Sequence, residues 1–193
     1  MRENGDETMT VIPKEWLRLP SEEDTGYLMV TLEGGDKRIP LVVETMNVSV
    51  EEVNIGKEQE FYILLEADHD ELRYYKDEEE YYAKSNSCLA AESLIPSELF
   101  QPDTNAFHYY GGEMVHHFTE ITEAIVQGRV LEVCADPASL SSPDDVYFTM
   151  ACLGYGFIVS CRGEAENMKD LAVDNIVSGS FCVWGWPKNE ATE

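Results

Sequence analysis

The chain has 193 residues, 44% of them hydrophobic, with 38 Asp and Glu against 13 Lys and Arg and a formal net charge of −25. Length and apolar content suffice for a packed core and exclude wholesale disorder. The charge excludes a surface that neutralises nucleic-acid phosphates or anionic lipid, and it favours basic proteins and cations.

Residues 1–100 carry 24 acids and 9 bases, and residues 101–193 carry 14 and 4, so the acidity belongs to the whole chain and not to a tail. The five cysteines, Cys88, Cys134, Cys152, Cys161 and Cys182, are odd in number and form no C-x-x-C. Together with a polar start that lacks an apolar signal core, they predict a reducing cytoplasm with cysteines used as small apolar residues. The run from Val146 to Cys161 is the longest without charge. It is shorter than the ~20 residues a membrane helix needs.

In chain order, residues 1–8 read as a disordered tail. A β-rich region over 9–100 follows, with strands at Tyr27–Leu32 and Arg38–Val43 joined at Gly34-Gly35-Asp36. Pro40 suits an edge position, because it has no N–H to give a neighbouring strand. Asn47–Val50, Glu60–Glu66 and Leu72–Tyr75 are further strand candidates. Asp77 and Glu80 have the spacing of a capping box, which predicts a short helix through Lys84 packed by Tyr81 and Tyr82. Ser87–Ile95 is a possible strand, and residues 96–112, with two prolines and a Gly-Gly pair, read as a long loop.

The region 113–187 carries strand patterns at Val126–Val133, Val146–Leu153, Phe157–Cys161 and Ile176–Trp184, with a short helix expected at Glu164–Leu171. Gly128 and Gly179 inside strands predict bulges or bends. This order in ~70 residues fits a small OB-like barrel. The fold expected is therefore mainly β (α+β), with an N-terminal β-rich region, a C-terminal OB-like β-barrel and short helices, packed as one unit.

Three segments carry a resemblance: Ala91-Glu92-Ser93-Leu94-Ile95-Pro96, Gly128–Val133 and Val177–Gly185. The chain resembles a set of uncharacterised bacterial proteins in which an ES-apolar-IP segment precedes a GKVLEV strand and a Gly- and Trp-containing strand ends the chain. The resemblance covers the last half and is of low specificity. Cys182 stands where the pattern has tryptophan. It implies an OB-like barrel and a bacterial source, and no activity.

Glu113, His116, His117 and Glu120 are the candidate metal ligands. On a helix, Glu-x-x-His spacing puts a carboxylate and an imidazole on one face. On a strand, His116 and His117 point to opposite faces, and no second copy of the motif exists to complete a bundle site. No nucleophile elbow or phosphate-binding loop is present, and His69, between two aspartates, reads as a solvated turn. Trp16, Trp184, Trp186 and the other aromatics have few basic residues beside them, so packing explains them better than base stacking. These observations lead to a non-enzymatic, acidic cytoplasmic interaction protein that binds a basic protein partner, inhibitor- or immunity-like, without nucleic acid, membrane, cofactor or metal. A β-barrel that binds a small molecule is the alternative, and a hydrolase with dispersed carboxylates a further one.

Overall fold

The computed structural model describes residues 8–21, 25–34, 37–67, 72–81, 83–84, 107–109, 122–134, 145–153 and 157–188. They form a ten-stranded sheet with very little helix. The strands are β1 (Thr8–Arg18), β2 (Gly26–Gly34), β3 (Lys37–Thr45), β4 (Gln59–Ala67), β5 (Arg73–Tyr75), β6 (Phe107–Tyr109), β7 (Glu123–Cys134), β8 (Asp145–Cys152), β9 (Ile158–Glu164) and β10 (Ile176–Pro187). The mainly-β expectation holds.

The pairing closes two rings that share one ribbon. β4 and β10 run antiparallel, with Val183 opposite Leu65 and Pro187 opposite Phe61. At one end of this ribbon β4 pairs with β1, β1 with β2 and β2 with β3, and β3 returns to β10 where Glu44 meets Trp184. At the other end β4 pairs in parallel with β9, β9 with β8 and β8 with β7. β7 then returns to β10 over Ile176–Cys182. A strand from the first half thus completes the ring of the second, and the last strand completes the ring of the first.

Period-2 alternation explains why these segments are strands. Along β4, Phe61, Ile63, Leu65 and Ala67 are buried, while Tyr62, Leu64 and Glu66 lie half-exposed on the opposite face. The buried set joins Val11, Leu28 and Val43 of one ring with Val126, Met150, Cys161 and Phe181 of the other in one contiguous core. Two glycines permit close approaches within it. A Cβ on Gly128 would lie 2.7 Å from Met150 Sδ and 3.1 Å from the Ala151 carbonyl, and one on Gly185 would meet Val43 at 3.1 Å. The bulge expected at Gly128 falls between Val130 and Glu132 instead. Pro40 faces Thr31 of β2, and among the described residues the other edge of β3 meets a strand only at Glu44.

Four local expectations change. Thr8, placed in the tail by the sequence reading, opens β1. The strand expected at Asn47–Val50 is a bend followed by a 3-10 turn, Val50–Glu52. Asn47 has φ 57, which ends the extended chain, and the Ser49 N–H donates to Glu52 Oε2 at 2.7 Å. The helix expected at Glu164–Leu171 is a run of turns, with single bonds such as Asn167 N–H to the Glu164 carbonyl at 3.0 Å. The cap at Asp77 is present, since Glu80 N–H donates to Asp77 Oδ1 at 2.9 Å and residues 78–81 and 83–84 are helical. The Glu80 carboxylate, however, accepts from Lys76 N–H and not from Asp77. Tyr81 packs edge-on against Tyr75, ring centroids 5.2 Å apart, beside Ile176.

Candidate functional site

The outer face of the shared ribbon and its neighbours is where exposed aromatics and charges meet. Alternation places Glu60, Tyr62, Leu64 and Glu66 of β4, Trp184 and Trp186 of β10, Ser160, Arg162 and Glu164 of β9, and Asp145 and Tyr147 of β8 on it, because the intervening residues fill the core. Register arranges them in rows. Tyr62 lies opposite Trp186, Leu64 lies between Ser160 and Trp184, and Arg162 lies between Tyr147 and Glu66. Asp145 lies opposite Glu164, a like-charge pair that is unfavourable directly across a sheet.

Among the described residues of this face, four carboxylates meet two cations, and both cations are engaged. Arg162 Nη2 lies 2.8 Å from Glu66 Oε1, and Trp184 Nε1 donates to Glu66 Oε2 at 2.8 Å. Burial works against the Arg162 charge, but its bonds to Glu66 and Tyr147 outweigh this and hold its pKa above the ordinary value. Lys188 Nζ lies 3.9 Å from Glu60 Oε2. Glu60 also accepts from the hydroxyls of Thr8, on Oε2, and of Thr10, at 3.4 Å on Oε1. The Thr8 bond, with smaller help from Lys188 and Thr10, holds the Glu60 carboxyl below the usual carboxylate range.

The aromatics on this face are partly wet. Tyr62 and Trp186 have ring centroids 6.1 Å apart with planes tilted by 33°, and Trp186 is 37% exposed. Ser160 is only 9% exposed, and among the described residues its hydroxyl has no hydrogen-bond partner. Trp16, by contrast, packs against the core.

Glu113, His116, His117 and Glu120 lie outside the described residues, as do His69 and Cys88. Among the described residues no group of three or more His, Cys, Asp or Glu side chains is placed to hold a metal ion. Cys134, Cys152, Cys161 and Cys182 are thiols on β7 to β10, the middle two buried and the outer two half-buried. No described helix is long and apolar enough to cross a membrane.

Sequence reasoning did not single out Tyr62 or Glu60, and it assigned to packing Trp186, which is 37% exposed. The usable signal was the Trp184-x-Trp186 spacing, which in a strand puts both indoles on one face. No protein-family model matches the chain, and no curated protein is significantly similar to it.

Proposed function

We propose that this is a non-enzymatic interaction protein of the cytoplasm whose acidic, aromatic face binds a basic protein, in the manner of an inhibitor or immunity protein. The observation that carries the reading is the face across β8, β9, β4 and β10, where among the described residues Glu60, Glu66, Asp145 and Glu164 share a surface with the partly exposed Tyr62, Trp184 and Trp186, and where Arg162 and Lys188 are already held by glutamates. Across the whole chain acids exceed bases by 25, so most carboxylates have no cation to pair with. Aromatic and carboxylate groups together suit Lys and Arg, since a cation is attracted by both the ring face and the charge. The same field repels nucleic-acid phosphates.

Among the described residues, large buried side chains such as Phe61, Leu65, Met150 and Phe181 point into the rings, which supports a surface site over a ligand inside a barrel. The fully buried polar side chains among the described residues are Thr, Ser and Gln, which gives a carboxylate hydrolase no support. The test begins with capture of partners from native cell extract. The association rate of any captured protein is then measured at about 50 and 500 mM salt, which shortens the Debye length to less than half. A basic partner whose rate falls steeply with salt, and falls again with Asp145→Asn plus Glu164→Gln, supports the reading. An acidic partner, or a rate insensitive to salt, overturns it.

A further inference from the structure

We propose that Tyr62, Trp186 and Glu60 anchor one arginine side chain of the basic partner. This inference rests on the reading above and names the point of contact within it. Tyr62 and Trp186 face each other directly across the ribbon, and their rings stay 6.1 Å apart with Trp186 37% exposed. Two large aromatic rings side by side on a strand face, neither in the core, offer a guanidinium a π surface to stack on. Partly exposed Trp and Tyr are also the residue types that dominate binding energy at interfaces.

Glu60 stands two residues before Tyr62 on the same face of β4 and supplies the charge. Its carboxylate is oriented before any partner arrives, because the hydroxyls of Thr8 and Thr10 bond one oxygen each. A carboxylate has about four lone-pair sites, so acceptor capacity remains for a guanidinium. Little orientational entropy is then lost on binding. Lys188 is the resident cation, but it lies 3.9 Å away with both side chains about half exposed, a geometry in which ion pairs are weak and replaceable. Arginine fits better than lysine, because its planar group can stack on the rings and bond the carboxylate at once.

The test uses the full-length protein, calorimetric titration at about 50 mM salt, and two probes, a short alternating Arg-Gly peptide and its Lys-Gly counterpart. The expected result is binding of both, with the arginine peptide tighter by roughly threefold or more. Trp186→Ala should weaken the arginine peptide by about five- to tenfold and abolish the preference. Glu60→Gln should weaken both peptides, and Lys188→Ala should tighten both by freeing the carboxylate. Asp145→Asn should weaken both and leave the arginine preference intact. If Trp186→Ala fails to fold, as circular dichroism would show, the preference in Glu60→Gln and Lys188→Ala decides. Binding that depends on Asp145 but is unchanged by Trp186→Ala or Glu60→Gln overturns the anchor and leaves the acidic face standing. Failure of both peptides to bind the wild-type protein overturns both.

Discussion

Gln127 is fully buried, and among the described residues neither its amide nitrogen nor its amide oxygen has a hydrogen-bond partner. It lies opposite Ser178 on the β7–β10 seam, with the buried and also unpartnered Ser180 hydroxyl two residues along β10. A buried polar group without a partner costs about 1–3 kcal/mol relative to a satisfied one. Gln127→Met keeps the length of the side chain and removes both unmet groups, so it should raise the free energy of urea unfolding by about 1 kcal/mol. A loss of stability on that substitution would show that the amide is bonded in solution. Glu60 allows a different check. A hydrogen bond to the charged form lowers a carboxyl pKa, so Thr8→Ala should raise the Glu60 value toward the ordinary range, read by NMR titration. While the bond is present, the depressed pKa contributes stability at pH above the ordinary value of 4.5. That contribution disappears as pH falls through the folded-state value. The thiols divide by depth. Burial pushes Cys152 up to about 12, and burial with Cys152 nearby pushes Cys161 well above its ordinary value. Since the thiolate is the reactive species, native protein at about pH 8 should alkylate at Cys134 and Cys182 long before Cys152 or Cys161. Mass mapping of the labelled peptides checks this, and equal labelling of the four would contradict the buried placement.

The shared ribbon decides how the elements depend on one another. β4 is flanked by β1 along its first residues and by β9 along its last, while β10 is flanked by β7 and then meets β3. Residues 113–187 therefore contain β7 to β10 but lack the strand between β9 and β10. Without β4, the edges of β9 and of the end of β10 are unpaired, and Val159, Cys161 and Val183 lose the side of the core that Leu65 and Ala67 provide. A fragment of residues 113–187 should thus be unfolded by circular dichroism and amide exchange, and adding residues 1–112 as a separate chain should restore structure. A folded fragment would show that β4 is dispensable. The same topology explains what could be read from the sequence. β4 and the end of β8 alternate cleanly and β2 and β10 alternate over part of their length, so these strands were visible because one face of each is apolar. β1 escaped because its register shifts between Pro13 and Glu15 and again between Trp16 and Arg18, which breaks the period that would reveal it. The turns at residues 165–170 mimicked a helix because acidic and apolar residues recur there at helical spacing, while Asp174 with φ 71 and the chain's return to β10 impose another path. The two rings could not be foreseen, since joining β1 to β4 and β4 to β10 is a matter of contacts between residues far apart in sequence, which local pattern does not encode. The anchor was illegible for the same reason, for Tyr62 and Trp186 become neighbours only when β10 docks.

At the scale of the whole molecule, charge is the dominant unbalanced quantity. Five described ion pairs join Arg38 to Glu33, Lys84 to Glu80, Arg129 to Glu78, Arg162 to Glu66 and Lys188 to Glu60. All five join side chains that are a quarter or more exposed, and exposed pairs contribute about 0–1 kcal/mol each, less as salt rises. Against them stands an excess of 25 negative charges, spread over both halves of the chain and in places set face to face, as at Asp145 and Glu164. Folding brings these charges closer together than they are in the open chain, so self-repulsion opposes the compact state. Salt screens both effects, but the repulsive terms far outnumber the attractive ones and many act over distances beyond the ~10 Å Debye length at 0.1 M, where screening removes them most completely. Raising sodium chloride from about 20 to 500 mM at neutral pH should therefore stabilise the protein. The expected gain is on the order of 1 kcal/mol, a sizeable part of the 5–15 kcal/mol typical of a domain. Urea unfolding at each salt concentration reads this as a higher midpoint with an unchanged slope, because the surface exposed on unfolding stays the same. A midpoint that falls with salt would mean that the attractive ion pairs outweigh the repulsion. The excess charge would then impose little strain on the fold, and its energetic cost would no longer favour a role in binding a basic partner.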